Sequence, residues 1–314
     1  MKIAVTDDYQ KLARSMADWS GIEADHDVTF FHEPIGDRDA VVAALKDFDV
    51  LCINRERTLF DRATLDGLPN LKFVVTTGMR NAALDVDALK ERGIQASGTS
   101  GSIYSTPELA WGLILSLARS IPLENQRMRD GSWITTLGVD LASRTIGIIG
   151  LGRLGKVMAT IAQAFRMEVI AWSQNLTEAQ AAEAGAKLVS KDELFKQSDF
   201  ITIHYKLSER STGLVGASEL ALMKPTAFLV NTSRGPIVDT DALIAALNDG
   251  RIAGAGLDVY DSEPLAKDHP LRSCPRTVLT PHLGYVTDLT YEAFYRETVE
   301  DLAAWLSGSP IRLL

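Results

Sequence analysis

Three segments of the chain end apolar runs with side chains able to act on a carbonyl group. They are Asn231-Thr232-Ser233-Arg234-Gly235, Asp258-Val259-Tyr260-Asp261-Ser262-Glu263-Pro264 and Pro281-His282-Leu283-Gly284. An arginine, a carboxylate and a histidine together suit carbonyl reduction, in which a hydride goes to carbon and a proton to oxygen. The cation clamps and polarises the oxygen, and a histidine is a fitting general acid near neutral pH. A carboxylate beside such a histidine fixes the ring and favours its charged form. Singly, each has a plainer role: Arg234 in a surface ion pair, Glu263 capping a turn before Pro264, His282 in a structural hydrogen bond. Their shared position at strand ends, where open α/β sheets bind ligands, sets them apart.

A fourth segment supplies the partner this chemistry needs. Gly150-Leu151-Gly152-Arg153-Leu154-Gly155 follows an apolar run and opens a helical pattern. Alone, a Gly-x-Gly-x-x-Gly string is weak evidence, because strand-to-helix turns without ligands also carry it. Between a buried-type strand and a helix it indicates a dinucleotide. Gly150 permits the tight turn, Gly152 admits a pyrophosphate to the backbone, and Gly155 lets the helix approach the strand. Amides at the helix start, around Arg153 and Leu154, then face the anion. Leu154, Val157, Met158, Ile161, Ala162 and Phe165 recur at helical spacing and are expected to form the buried face. After the next strand, Ser173 and Gln174 stand where an acid would bind the adenosine ribose and repel a 2′-phosphate. No acid is there, and Arg153 could reach a 2′-phosphate, so this position discriminates loosely; NAD is the expected cofactor, with NADP not excluded.

These loops require a scaffold. Lys2–Thr6, Val28–Phe31, Val50–Ile53 and Phe73–Thr76 read as strands, with expected helices at Asp39–Lys46 and Asp85–Arg92, the second stopped by Gly93. A second series begins near Thr99 with an apolar helix over Ser105–Ser120. Six strands are expected after it: Thr145–Ile149, Glu168–Trp172, Phe200–His204, Ala227–Asn231, Gly254–Val259 and Thr277–Thr280. Helices are expected between them at Leu154–Phe165, Lys191–Gln197, Ala217–Leu222 and Asp239–Asp249, with a last one at Leu289–Leu306. Such alternation predicts the α/β class: two doubly wound parallel-sheet domains, Rossmann- or flavodoxin-like, with a cleft between them.

Composition narrows the partners. The 314 residues exceed what one core usually serves. A formal charge of −9 argues against nucleic acid or an anionic membrane surface, yet leaves room for a small anionic substrate in a local positive pocket. Cys52 and Cys274 lack CxxC spacing, and His26, His32 and His269 lack metal-ligand spacing, so neither a disulfide scaffold nor a metal site is expected. The most apolar stretch, Leu109 to Ala118, is far shorter than the roughly 20 residues of a membrane span. The acidic N-terminus is unlike a signal peptide, and the expected location is the cytoplasm.

Taken in order, these motifs resemble the D-isomer-specific 2-hydroxyacid dehydrogenase family, in its glyoxylate/hydroxypyruvate reductase-like form. The resemblance runs from Gly93-Ile94 and Pro107-Glu108-Leu109-Ala110, through the glycine turn, to Pro281–Gly284. It implies that Arg234 binds the substrate carboxylate and polarises the carbonyl. His282 would then be the acid in reduction and the base in oxidation, with Glu263 as its carboxylate partner. Asp258 would hold the nicotinamide carboxamide, and Thr106, His204 and Thr232 would line the cofactor site. The family's split substrate domain corresponds to residues 1–99 with 284–314, leaving residues 100–283 as the dinucleotide domain. The partners implied are a 2-oxo or 2-hydroxy acid and a second copy of the chain, met through the helix at Ser105–Ser120.

The sequence also departs from the family. Its substrate loop usually reads Gly-x-Gly-x-Asp-Asn; here Gly78-Met79-Arg80-Asn81-Ala82-Ala83 stands in its place. By resemblance Gly78, Met79 and Arg80 would meet the substrate, and Arg80 would add a cation for a second anionic or polar group, unless it points outward or braces the loop. Arg55 and Arg57 compete for a place at the same edge, and Lys206 replaces a common proline. Two other readings keep the fold: a phosphite or formate dehydrogenase, with Glu263 counting against formate, and a non-catalytic nicotinamide-sensing protein.

Overall fold

The computed structural model describes all residues from Met1 to Leu314. The chain divides into two compact units, Met1–Ser102 with Thr287–Leu314, and Ile103–Val286.

In the first unit the strands β1 (Lys2–Val5), β2 (Asp27–Phe30), β3 (Val50–Ile53), β4 (Phe73–Thr76) and β5 (Gln95–Gly98) form one sheet. Its order is β2-β1-β3-β4-β5 and every pairing is parallel. This is the flavodoxin-like order. Asp37, Asp61 and Asp85 start the intervening helices by accepting the amides of Ala40, Thr64 and Ala88. The helix Asp288–Leu306 returns to this unit, with Trp305 stacked on Phe73 at 4.7 Å between centroids. Four strands were expected and five are present. Gln95-Ala96-Ser97-Gly98 has too little apolar character to read as a strand. It is held from both sides, by β4 and by an antiparallel bridge from Ser97 to Leu313.

In the second unit β6 (Thr145–Ile149), β7 (Glu168–Trp172), β8 (Lys187–Leu188), β9 (Phe200–Ile203), β10 (Phe228–Asn231), β11 (Gly254–Leu257) and β12 (Thr277–Leu279) form a seven-stranded sheet. Its order, β12-β11-β10-β9-β6-β7-β8, is wholly parallel. The direction of winding reverses between β6 and β9, as in a Rossmann fold. Successive residues go to opposite faces: Ile146, Ile148, Phe200 and Val230 enter one core, and Ile149, Ile201, Ile203 and Leu229 the other. A sheet covered on both faces explains why these runs are apolar without alternation. Here six strands were expected, and the seventh, two-residue β8 is an edge strand too short to carry a pattern.

The helix Arg153–Ala164 also differs in detail. Its fully buried positions are Gly155, Met158, Ala159 and Ala162, whereas Leu154, Val157 and Ile161 are half-buried. The small residues let the helix sit close to the sheet and so take the centre of the contact. Phe165, expected inside, is exposed and stacks on Trp111 at 5.0 Å.

Candidate functional site

The glycine turn occupies the reversal point of the second sheet. Gly150 has φ +95°, and its amide donates to the carbonyl of Trp172 at 2.9 Å. A Cβ on Gly150 would lie 2.4 Å from the carbonyl oxygen of His204, and one on Gly155 would lie 2.2 Å from that of Gly150. Only glycine fits either place, because the β9 exit packs on Gly150 and the backbone of Gly150 packs on Gly155. Gly152 is different: a Cβ there meets nothing within 4 Å. The first bond of the helix runs from the Lys156 amide to the Gly152 carbonyl, so the amides before it point out of the helix end. Arg153 is exposed at this start and Leu154 is half-buried.

Two further observations test whether a dinucleotide suits these residues. Thr232, just past β10, is buried, and its Oγ1 has no hydrogen-bond partner in the chain. An outward-facing helix end, an open Gly152 and an orphaned buried hydroxyl fit an anionic, hydrogen-bonding ligand. Beyond β7, Ser173 accepts from the Leu151 amide at 3.4 Å and Gln174 is exposed. His204 shares a 2.9 Å hydrogen bond between its Nε2 and Thr202 Oγ1, and burial pushes its pKa down to about 4, so it is neutral at ordinary pH. Lys206, two residues on, is exposed.

The three charged segments leave neighbouring strands. After β10, Asn231 Nδ2 donates to the carbonyl of Arg234 at 2.8 Å, and Asn231 Oδ1 accepts the Ser233 amide at 3.0 Å. This local turn fixes the backbone of Arg234, whose Nη1 donates to the Ser233 carbonyl at 2.7 Å. Gly235 then lies against the next segment, where a Cβ would stand 2.1 Å from the Tyr260 carbonyl carbon. After β11, Glu263 uses Oε1 to accept the Tyr260 amide at 2.9 Å and precedes a cis peptide bond to Pro264. Its other oxygen, Oε2, lies 2.5 Å from Nδ1 of His282. The His282 side chain is 19% exposed. Its ring also meets Tyr285 edge-on at 5.5 Å.

Asp258 is fully buried, and its carboxylate accepts from Thr280 Oγ1 and from the amides of Leu283 and Gly284. Burial pushes its pKa up, against the pull of those donors. Thr106 donates to the Gly284 carbonyl at 2.9 Å. Tyr260, another buried group here, donates its hydroxyl to the Thr280 carbonyl at 3.0 Å, and its pKa is pushed up to about 12, chiefly by burial. Asn231, Tyr260 and Thr280 were not singled out in the sequence. Their only signal there is adjacency to the residues that were.

Gly78, Met79 and Arg80 belong to the first unit, after β4. The Gly78 amide is already engaged, donating to Thr99 Oγ1 at 2.9 Å. Met79 and Arg80 are exposed. The nearby arginines have separate tasks. Arg57 donates to the Asp7 carbonyl at 2.7 Å and to the Tyr291 hydroxyl at 3.0 Å, and lies over the Tyr9 ring. Arg55 spans the loop, with Nη1 3.4 Å from the carbonyl oxygens of both Thr77 and Arg80.

Residues 111–284 match the family model described as the NAD binding domain of D-isomer specific 2-hydroxyacid dehydrogenase. The chain belongs to the D-isomer-specific 2-hydroxyacid dehydrogenase family. It is 34% identical to the glyoxylate reductase of Thermococcus litoralis over 91% of this chain and 89% of that enzyme. It is 38% identical to the glyoxylate reductase of Aeropyrum pernix, over 80% of this chain and 78% of the other. Among solved structures, the phosphoglycerate oxidoreductase of Vibrio cholerae o395 superposes with a TM-score of 0.92 at 33% identity, covering 98% of this chain and 99% of that one. No helix is long and apolar enough to cross a membrane.

Proposed function

We propose that this dehydrogenase reversibly transfers a hydride between NAD(H) and a 2-oxo acid, giving a D-2-hydroxy acid. The observation that carries the reading is the 2.5 Å pairing of His282 with Glu263, within a chain whose family model is an NAD-binding dehydrogenase domain.

NAD(H), when bound, supplies or accepts the hydride; Gly150–Gly155, Ser173, Gln174 and Thr232 are the residues to hold it. The remaining work belongs to side chains. Arg234 binds the substrate carboxylate and draws charge from the carbonyl oxygen. His282 delivers a proton from Nε2 to that oxygen in reduction and takes it back in oxidation. Glu263, holding Nδ1, keeps the opposite nitrogen turned to the substrate. Gly78, Met79 and Arg80 complete substrate recognition, with the exposed Arg80 guanidinium available to a second anionic or polar group. Residues 1–99 with 284–314 serve as the substrate domain and residues 100–283 as the dinucleotide domain.

The protein acts as a cytoplasmic homodimer in this reading. The apolar face of Ser105–Arg119 is buried in its own unit, through Ala110, Trp111, Ile114 and Leu117. Apolar side chains for a partner follow it instead, notably Met128, Trp133, Ile134 and Leu137, the last two 79% and 96% exposed.

The test is oxidation of NADH and NADPH against 2-oxo acids of varied size and charge, starting with glyoxylate and hydroxypyruvate. The reading expects turnover of at least one with NADH preferred. Tight NADH binding with no turnover across the panel would overturn it in favour of a sensing protein.

A further inference from the structure

Asp258 has its carboxylate occupied by the protein itself. Its Oδ1 accepts from Thr280 Oγ1 at 2.6 Å and from the Leu283 amide at 2.7 Å. The Oδ2 atom accepts the Gly284 amide at 2.8 Å, and the Asp258 carbonyl accepts the His282 amide at 2.9 Å. Three consecutive amides of the histidine loop therefore converge on one residue. The opposite side of Gly284 is held too, since its carbonyl accepts from Thr106 on the first turn of Ser105–Arg119.

The loop has reason to need holding. His282 has φ +55°, in the left-handed region that non-glycine residues adopt uncommonly, so contacts that hold the loop there stabilise a conformation it would otherwise leave. An ionised carboxyl is acceptor-only, with enough lone pairs for all three of its donors. An asparagine could not serve them equally: its amide group would set a donor against one of the backbone N–H groups.

We propose that Asp258 is a positioning residue for His282, clamping its loop together with Thr106 in the left-handed turn that keeps Nδ1 on Glu263. Its effect on turnover rests on the catalytic reading of His282 given above; the clamp itself does not. This differs from a direct hold on the nicotinamide, because it acts through the backbone and operates before any cofactor binds.

The decisive experiment is hydrogen exchange at the Leu283 and Gly284 amides in cofactor-free protein, comparing the parent with Asp258→Asn. Loss of a charge-assisted bond is expected to speed exchange at one or both by about tenfold or more. Alongside it, kcat of Asp258→Asn should fall by on the order of 10²-fold with KM for the 2-oxo acid little changed, as for a misplaced catalytic group. Thr280→Val removes a single donor and keeps the carboxylate, so a smaller fall in kcat with an unchanged NADH Kd is expected; it also serves if Asp258→Asn does not fold. Parent-like exchange at both amides would overturn the proposal. So would a weakened NADH Kd in Thr280→Val with no fall in kcat. The exchange result needs no substrate, so it stands or falls separately from the 2-oxo acid reading.

Discussion

The Nδ1 atom of His282 and the Oε2 atom of Glu263 lie 2.5 Å apart although 19 positions separate them in the chain. The second Glu263 oxygen is tied to the Tyr260 amide, so the carboxylate is anchored before it meets the ring. Replacing Glu263 with Gln keeps the size and loses the charge. Steady-state kinetics should show kcat reduced by roughly 10- to 10³-fold with KM nearly constant, and His282→Ala should cost at least as much. Equal kcat in Glu263→Gln and parent would remove Glu263 from the mechanism.

Arg234 is held by the Asn231 turn, which leaves its backbone with little freedom. In Arg234→Ala the loss of a charged, hydrogen-bonding contact should lower kcat/KM by roughly 10- to 10²-fold, mostly through KM. Arg234→Lys should recover only part of it, since an ammonium lacks the planar fork. Full recovery by lysine would argue for charge alone.

Gly152 separates fold from ligand. Because a Cβ there meets no protein atom within 4 Å, Gly152→Ala should change thermal stability little, within about 0.5 kcal/mol. Its NADH affinity should nevertheless drop by about tenfold or more, because the methyl enters the space a pyrophosphate takes. Gly155→Ala, whose Cβ would meet the Gly150 carbonyl oxygen at 2.2 Å, should instead lose stability. Fluorescence titration and calorimetry on the pair would distinguish the two effects.

The position after β7 sets cofactor choice in this reading. Ser173→Asp places a carboxylate where the adenosine ribose is expected, repelling a 2′-phosphate. The ratio of kcat/KM for NADH over NADPH should rise by about tenfold or more. An unchanged ratio would show that the ribose lies elsewhere.

Two buried groups give the stability opposite pH dependences. Asp301 is buried on the helix Asp288–Leu306, and its pKa is raised from 3.8 to about 7, mainly by burial and against the pull of Arg312. The folded state therefore holds the proton more tightly than the unfolded one. Its stabilising contribution is full below pH 4 and lost as pH rises towards 7. Asp301→Asn should gain in Tm relative to the parent between pH 5 and about 8. His204 is shifted down from 6.5 to about 4, so its contribution is present above pH 6.5 and lost as pH falls towards 4. His204→Gln should flatten that acid limb. A parent-to-variant difference in Tm that does not change with pH would contradict either assignment.

Much of this was legible in the residue order. Apolar β-branched runs separated by capped helices specify parallel sheets by short-range physics, and β3, β4, β6 and β7 begin and end where their patterns do. The glycine turn was readable because each glycine answers a steric demand of one strand–turn–helix unit. Arg234, Glu263 and His282 were readable as residue types at strand ends. Other features were not. The β5 and β8 strands carry almost no pattern of their own and exist because neighbours supply their hydrogen bonds. The buried stripe of Arg153–Ala164 centres on its small residues, since distance to the sheet, not hydrophobicity alone, decides which positions touch.

By itself, then, the sequence determined the class of fold, the place of the glycine turn and the kinds of side chain that stand at the strand ends. Only the tertiary structure decided how they are joined. It brought Glu263 onto His282, committed the Asp258 carboxylate to the loop that carries the histidine, and divided Arg55 from Arg57 by giving each its own acceptors. The reason is range. Propensity, capping and periodicity act over a few residues, whereas these hydrogen bonds span 19 to 234 positions and form only when elements distant in sequence come side by side.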